Sequence, residues 1–391
     1  MTNMKNKALT LGIILLFSIF VSPVMAQDDI TFNPIQTAVP FLTIAPDSRA
    51  GALGDAGVAT SPDLFSMHWN PAKFAFIDGN GGFGISYSPW LRALIPDINL
   101  SYLTGYYRID SRQVVAGSLM YSSLGKIEFT DESGQPIMTL QNANEFSIDA
   151  AYSRLFSEHW SGGVAMRFIY SNLTGGTLVG TTETKPGLAF AADASAYYTN
   201  KLKLGSRDGN ISAGINFSNI GSKMSYTTDV DPDFIPMNMR LGTTFSINLD
   251  KYNSIGFSLD VNKLLVPTPP VYDEDLNIID GKNPNVSVPV AIFQSFYDAP
   301  GGFSEEMKEF TQSVGIEYWY NQQFALRTGY YNEANMKGNR KYFTVGAGFR
   351  LNILSLDFSY LVPVTQNNPL ARTLRFSLGF EFDSLRNLSQ K

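Results

Sequence analysis

Apolar and polar residues alternate along the C-terminal part of the chain with the period of a β-strand. In 373–382 every second residue is Leu or Phe, and the residues between them are polar, charged or glycine. The segments 342–350 and 354–362 follow the same rule. Because successive side chains of a strand point to opposite faces, each segment has one apolar face and one face suited to water. The pattern predicts strands that separate lipid from an aqueous lumen.

Further segments fit the same pattern and bring the total to about fourteen strands, an even number as in bacterial outer-membrane barrels. They are 83–90, 98–109, 113–122, 145–156, 160–171, 187–199, 211–219, 239–249, 254–262, 312–320 and 323–331. The predicted fold class is all-β, a transmembrane antiparallel β-barrel over 81–391. A soluble β-sandwich would need a water-facing side rich in Lys and Glu, whereas the polar face here is Gly, Ser, Thr and Ala.

The predicted connections alternate between short and long. The short ones are 110–112, 157–159, 250–253 and 321–322, and the long ones are 123–144, 172–186, 220–238 and 263–311. The connection 200–210 fits neither class well. Barrels of this kind have short periplasmic turns and long extracellular loops, so we expect the longest loop, 263–311, to lie outside the cell.

The N-terminus predicts export. Residues 1–26 contain Lys5 and Lys7, an apolar run over 8–21 and a small-residue cleavage site at 24–26, the pattern of a cleaved signal peptide. The following segment, 27–80, consists of small residues and turn formers and is predicted to plug the lumen. The expected location is therefore the outer membrane.

Composition removes several classes of function. The 391 residues contain no cysteine, so disulfides, thiolate metal sites and an acylated N-terminal cysteine are excluded. The net charge of -6 argues against a nucleic-acid partner. Acidic runs at 229–233 and 273–280 have oxygen-ligand spacing suited to Ca²⁺, but solvated loop acids are the favoured interpretation. We predict no catalytic, cofactor-binding or metal-binding residues.

The longest predicted loop carries apolar residues in a region expected to lie outside the membrane. They are Leu264, Leu265, Val266, Pro267, Phe293, Phe296 and Phe303. Exposed apolar groups of this kind indicate a protein-binding surface. The alternative is that they pack the loop onto itself over the barrel mouth, and both can hold together.

Several motifs carry a resemblance to a known family. The N-terminal SRAGALGDAGVA at 48–59 and WNPA at 69–72 resemble the signature of FadL-like barrels. More specific are DVNKLLVPTPP at 260–270, FQSFYDAPGGFSEE at 293–306 and KGNRKYFT at 337–344, which resemble the PorV family of the type IX secretion system. The similarity extends over essentially the whole chain after the signal peptide.

The resemblance implies a non-enzymatic barrel that binds the C-terminal signal domains of secreted cargo. It would carry the cargo from a giant translocon barrel of the Sov or SprA kind to an attachment complex with the sortase PorU, PorQ and PorZ, where cargo is joined to anionic lipopolysaccharide. Two alternatives stay open: a FadL-like channel for hydrophobic small molecules, with an apolar lumen pocket and a lateral gap, and involvement in lipid A deacylation.

Overall fold

The computed structural model describes residues 32–91, 97–130, 133–173, 175, 178–179, 182–227, 231–365 and 368–382. Within them one antiparallel sheet closes on itself as a barrel of 14 strands, each paired with its neighbours in chain order. The predicted fold class is confirmed. The predicted signal peptide, 1–26, lies outside the described residues.

The barrel strands are numbered β1 to β14 in chain order. Their bounds are Gly81–Pro89, Asn99–Arg108, Gln113–Thr130, Pro136–Leu155, Trp160–Asn172, Gly187–Leu204, Arg207–Gly221, Asn238–Asn248, Asn253–Leu264, Thr311–Tyr320, Phe324–Asn332, Lys341–Leu351, Leu354–Pro363 and Leu374–Glu381. The barrel closes where β1 pairs with β14, with Phe83 opposite Phe380.

The alternation in sequence becomes an alternation of faces. In β14, Arg375 and Ser377 are buried towards the lumen, whereas Phe376 between them is exposed on the outer wall. The same holds for β5, where Met166 is 76% exposed and its neighbours Ala165 and Arg167 are buried. The outer wall is thus an apolar band of the kind that lipid covers.

Two predicted connections differ from the structure. The connection 200–210, whose predicted length fitted neither class, is a tight turn, because β6 runs on to Leu204, β7 begins at Arg207, and Gly205 between them has φ 64°. Likewise β3 and β4 stay paired as far as Thr130 and Pro136, so the predicted loop 123–144 is mostly a hairpin. Backbone pairing continues where the alternating apolar signal has ended, which is why the sequence pattern missed both extensions.

The segment 33–77 fills the lumen. It contains two short helices, α1 (Ser48–Ala52) and α2 (Ser66–Trp69), and two 3₁₀ turns, Pro40–Thr43 and Pro71–Phe76. The carboxylate of Asp47 begins α1 by accepting hydrogen bonds from the Ala50 amide at 2.9 Å and the Trp69 indole at 2.6 Å. We call this segment the plug. In the described part of the chain, no helix has the length and apolar character needed to cross a membrane.

Candidate functional site

The plug is fixed to the wall by buried ion pairs. The Arg49 guanidinium contacts both carboxylate oxygens of Glu317 on β10 at 2.9 Å and Asp63 of the plug at 2.9 Å. Glu317 also accepts from Arg327 on β11 at 2.8 Å, and Arg327 reaches Asp357 on β13 at 2.6 Å. Buried charges of this kind are tolerated because every one has a partner.

Lumen-facing glycines let the plug approach the wall closely. A Cβ on Gly329 would lie 2.1 Å from the Gly54 amide nitrogen, and a Cβ on Gly214 would lie 2.3 Å from the Val58 carbonyl oxygen. Such distances exclude any larger residue, because packed interiors have no room for an added methyl group. The SRAGALGDAGVA motif is therefore explained by contact between plug and wall.

A cavity of about 210 Å³ remains between the plug and the barrel mouth. Its lining is mixed: Trp69 and Trp90 lie beside Arg240, Glu309 and Arg340. It is smaller than the roughly 300–1,000 Å³ typical of ligand pockets. Each pair of adjacent barrel strands is hydrogen-bonded among the described residues, so the wall is continuous there. This cavity is therefore not the apolar lumen pocket expected of a channel for hydrophobic small molecules.

The chain between β9 and β10, residues 265–310, forms a cap over the mouth, and we call it the outer cap. It contains a small hairpin, Val271–Tyr272 paired with Ile278–Asp280, and two helices, α3 (Val288–Gln294) and α4 (Gly302–Lys308). The plug touches it directly, because the side-chain amide of Asn33 donates to the Pro269 carbonyl and to the Glu305 carboxylate, both at 3.1 Å.

The inner face of α4 is charged. Glu305, Glu306 and Glu309 are all buried, and each pairs with at least one of two lysines from outside the cap. Lys263 of β9 lies 2.5 Å from Glu309 and 3.3 Å from Glu306. Lys337, between β11 and β12, lies 2.6 Å from Glu305 and 3.0 Å from Glu309. This cluster holds α4 against the barrel, and each of its charges would be costly without the others.

A buried aspartate, Asp298, holds α3 in place by hydrogen bonds. One carboxylate oxygen of Asp298 accepts from the Thr268 amide at 3.2 Å and from the Gln294 side chain at 3.3 Å. Burial raises the pKa of Asp298 to about 6, since the charged form is poorly solvated there. The Thr268 hydroxyl in turn donates to Glu309 at 2.5 Å, which joins the two anchors.

The outer face of the cap is apolar. On α3 and just beyond it, Val290, Phe293 and Tyr297 are exposed, while Ala291 and Gln294 are buried. On α4, Phe303 and Met307 are exposed at i and i+4. We call the exposed set the aromatic face; it comprises Val290, Phe293, Phe296, Tyr297, Phe303 and Met307. Helix α4 thus has the reverse of the usual amphipathic arrangement, with carboxylates inside and Phe303 outside, whereas α3 buries Ala291 in the hydrophobic core and still exposes Phe293.

The structure divides the apolar residues that the sequence singled out. Phe293 and Phe303 are 71% and 79% exposed, and Phe296 is 41% exposed. Leu265, Val266 and Pro267 are buried instead, and Leu264 is half-buried at the cavity. The chain turns inward as it leaves β9, where the Leu265 amide donates to the Met237 carbonyl at 2.8 Å. Residues 265–267 therefore pack inward, as in the alternative interpretation of the loop, and the phenylalanines are exposed; a role of the loop in binding a partner stays a prediction.

The acidic runs carry no metal site in the described residues. No group of three or more His, Asp or Glu side chains there is arranged to hold a metal ion. The Asp273 carboxylate instead shapes the hairpin turn by accepting from the amides of Asp275 at 3.0 Å and Asn277 at 2.7 Å. Of the run 229–233, residues 229 and 230 lie outside the described part of the chain.

Comparison with known proteins gives one family and a set of distant structures. A family model described as "Type IX secretion system protein PorV" matches residues 26–271. No curated protein sequence matches the chain.

Among solved structures, the TodX ΔS2S3 mutant, a monoaromatic hydrocarbon channel, is 12% identical with a TM-score of 0.47 over 85% of this chain and 96% of that chain. The toluene transporter TodX of Pseudomonas putida is 12% identical, with a TM-score of 0.45 over 89% and 98%. A FadL homologue of Pseudomonas aeruginosa is 11% identical, with a TM-score of 0.43 over 90% and 100%. Likenesses this distant do not bear on what the chain binds.

Proposed function

The chain belongs to the PorV family of type IX secretion system proteins, and we propose that it is a non-enzymatic carrier of secreted cargo. In this proposal it binds the C-terminal signal domain of cargo at the aromatic face of the outer cap. It then delivers the cargo to the sortase-containing attachment complex for anchoring to anionic lipopolysaccharide. As a member of an outer-membrane barrel family, it acts in the outer membrane.

The observation that carries the proposal is the exposure of aromatic rings on the cap. Leaving large apolar side chains in water forgoes roughly 1.5–3 kcal/mol for each side chain that could be buried. The inner face of α4 is occupied by carboxylates, and the inner side of α3 is filled by Ala291 and Gln294, so the cap does not bury Phe303 or Phe293 itself. Exposed aromatic residues are also the side chains that dominate binding energy at protein interfaces. A protein partner accounts for both features.

The anchoring of the cap supports a preformed binding surface. The Lys263 and Lys337 ion pairs and the hydrogen bonds of Asp298 tie both helices to the barrel. A surface held in place before binding loses less conformational freedom when the partner arrives. The plug, fixed through Arg49, fills the lumen, which favours cargo carried on the outside of the barrel over cargo passing through it.

The named partners follow from the family and stay proposals. They are the giant translocon barrel that supplies the cargo, and PorU, PorQ and PorZ at the attachment complex. The channel alternative is less well supported, because the cavity between the plug and the mouth is small and its lining is mixed. Involvement in lipid A deacylation likewise stays a prediction without a residue set.

Co-purification from native outer membranes tests the carrier function. The wild-type barrel should recover secreted proteins that still carry their C-terminal signal domains, together with a sortase-like protein. A Phe293→Ser, Phe303→Ser variant should insert normally and lose the cargo, and Met166→Ala on the lipid-facing wall is the matched control. A wild-type barrel that arrives without cargo but with a bound hydrophobic small molecule contradicts the carrier and supports the channel.

A further inference from the structure

An acidic hairpin stands beside the aromatic face. Its two short strands, Val271–Tyr272 and Ile278–Asp280, are exposed, and so are Glu274 and Asp275 in the turn between them. Hydrogen bonds from the Asn277 and Asp275 amides hold the pKa of Asp273 below its usual value, so this carboxylate stays ionised. The hairpin therefore presents negative charge to the solvent.

Contacts at the base of the hairpin hold it next to α3. The Gln294 side chain donates to the Asn283 carbonyl at 2.9 Å, just past the hairpin. Gly281, with φ 91°, is packed so tightly that a Cβ there would lie 3.2 Å from the Asp298 carbonyl oxygen. The Lys282 ammonium stands 3.7 Å above the Tyr297 ring, which belongs to the aromatic face. Charge and aromatic rings thus form one continuous surface.

The charge on this surface is one-sided. Eight acidic residues lie within 265–310, but Asp298, Glu305, Glu306 and Glu309 are buried on the inner side. The remaining four, Asp273, Glu274, Asp275 and Asp280, face only Lys282 and Lys308 among the cap's own basic residues. Lys282 is already engaged with Tyr297. The open side of the cap is therefore acidic around an apolar centre.

We propose that the partner of the outer cap is a protein domain with an apolar pocket bordered by lysine and arginine, and that the acidic hairpin steers it onto the aromatic face. This inference rests on the proposed function and specifies the chemistry of the cargo surface that is recognised. Complementary charge at the rim of an interface mainly raises the association rate, while buried aromatic side chains set the dissociation rate.

The same charge pattern argues against anionic lipopolysaccharide as the ligand of the cap. Anionic lipopolysaccharide would be repelled by the hairpin, since like charges in partly desolvated contact are unfavourable. The cap is thus assigned to a basic protein surface, and any contact with anionic lipopolysaccharide belongs to another part of the molecule. Leu276 in the hairpin turn and Ile279, both exposed, extend the apolar centre towards the acids.

Stopped-flow binding of one purified C-terminal signal domain to the barrel in nanodiscs tests the inference. The variant is Glu274→Gln, Asp275→Asn, Asp280→Asn; Asp273 is left in place because it shapes the turn. At low salt the association rate should fall about tenfold, and most of its salt dependence should disappear, while the dissociation rate stays unchanged. Asp208→Asn on the periplasmic β6–β7 hairpin is the matched neutralisation and should behave as wild type.

The possible outcomes distinguish the steering role of the hairpin from the proposed carrier function. A triple variant with the wild-type association rate and salt dependence overturns the steering role and leaves the carrier function standing. Faster association of the triple variant overturns the basic-partner assignment, because it means that the acids repel the partner. A wild-type barrel that shows no binding at any salt concentration overturns the carrier function, and the inference with it.

Discussion

The barrel wall and the outer cap both expose large apolar side chains, and they do so for different reasons. On the wall, Met166 and Phe190 are 76% and 67% exposed on strands whose other face is buried against the plug or lumen. On the cap, Phe293 and Phe303 are exposed to a similar extent but lie on helices beyond the ends of the strands. Lipid covers the wall, and nothing within the described chain covers the cap.

The difference shows that exposure alone does not identify a binding surface. The wall obeys the period of two of a membrane strand, and its apolar residues are accounted for by the bilayer. On the cap, the carboxylates of α4 turn inward and pair with Lys263 and Lys337, and the aromatic rings point outward. The bilayer accounts for the apolar residues of the wall, whereas those of the cap are accounted for by the proposed protein partner.

The largest expected effect comes from removing the charge that holds the cap. In Lys263→Met, Glu306 and Glu309 lose a buried partner, which should cost about 3–5 kcal/mol of local stability. The cap should become sensitive to protease and its amides should exchange faster, while the wall keeps its protection. Lys308→Met, at an exposed position of α4, is the control and should have no such effect. A cap that stays protected in Lys263→Met contradicts the anchoring role of the cluster.

The next largest difference is expected when an arginine is introduced on the wall or on the cap. Met166→Arg should destabilise the inserted barrel by about 2–4 kcal/mol, the cost of arginine facing lipid near the bilayer centre. Phe303→Arg should change the stability of the barrel by less than about 0.5 kcal/mol, because its side chain is already in water. Unfolding by denaturant in lipid vesicles measures both. Equal destabilisation by the two substitutions means that the cap is also in contact with lipid.

The stability of the cap should depend on pH through Asp298. Because the pKa of Asp298 is raised to about 6 in the folded cap, its contribution to stability is complete below its unfolded pKa near 3.8 and is lost as pH rises through 6. Asp298→Asn keeps the acceptor for Thr268 and removes the titration, so the cap should exchange more slowly above pH 6 by on the order of 1 kcal/mol. Hydrogen exchange at pH 5 and pH 8 gives the comparison, and an identical pH dependence in the variant rules out Asp298 as its source.

The sequence predicted the wall better than the cap for a physical reason. Strands such as β12, β13 and β14 face lipid along their whole length, so the alternation of apolar residues predicts both the strand and which of its faces points outward. The cap has no such uniform neighbour. An apolar run such as Leu265-Val266 is equally compatible with a surface or a core, and only the fold shows that it packs under the cap.

The ion-pair cluster beneath the cap shows most clearly what the sequence pattern could not predict. Lys263 and Lys337 are far apart along the chain and meet at Glu309 only because β9 and the connection after β11 reach the same side of the mouth. The one local signal was the spacing of Glu305, Glu306 and Glu309, which places three carboxylates on one side of a helix. That spacing indicates a charged face and does not say whether it points inward.

The most direct test of the central claim is the affinity of the barrel, held in nanodiscs, for a purified C-terminal signal domain of secreted cargo. The variant Phe293→Ala, Phe303→Ala should bind roughly 100-fold more weakly than wild type, because two exposed aromatic anchors are lost together. Met166→Ala, an equally exposed wall residue, should bind as wild type does. An affinity of the double variant within about twofold of wild type would contradict the claim that the outer cap is the cargo-binding surface.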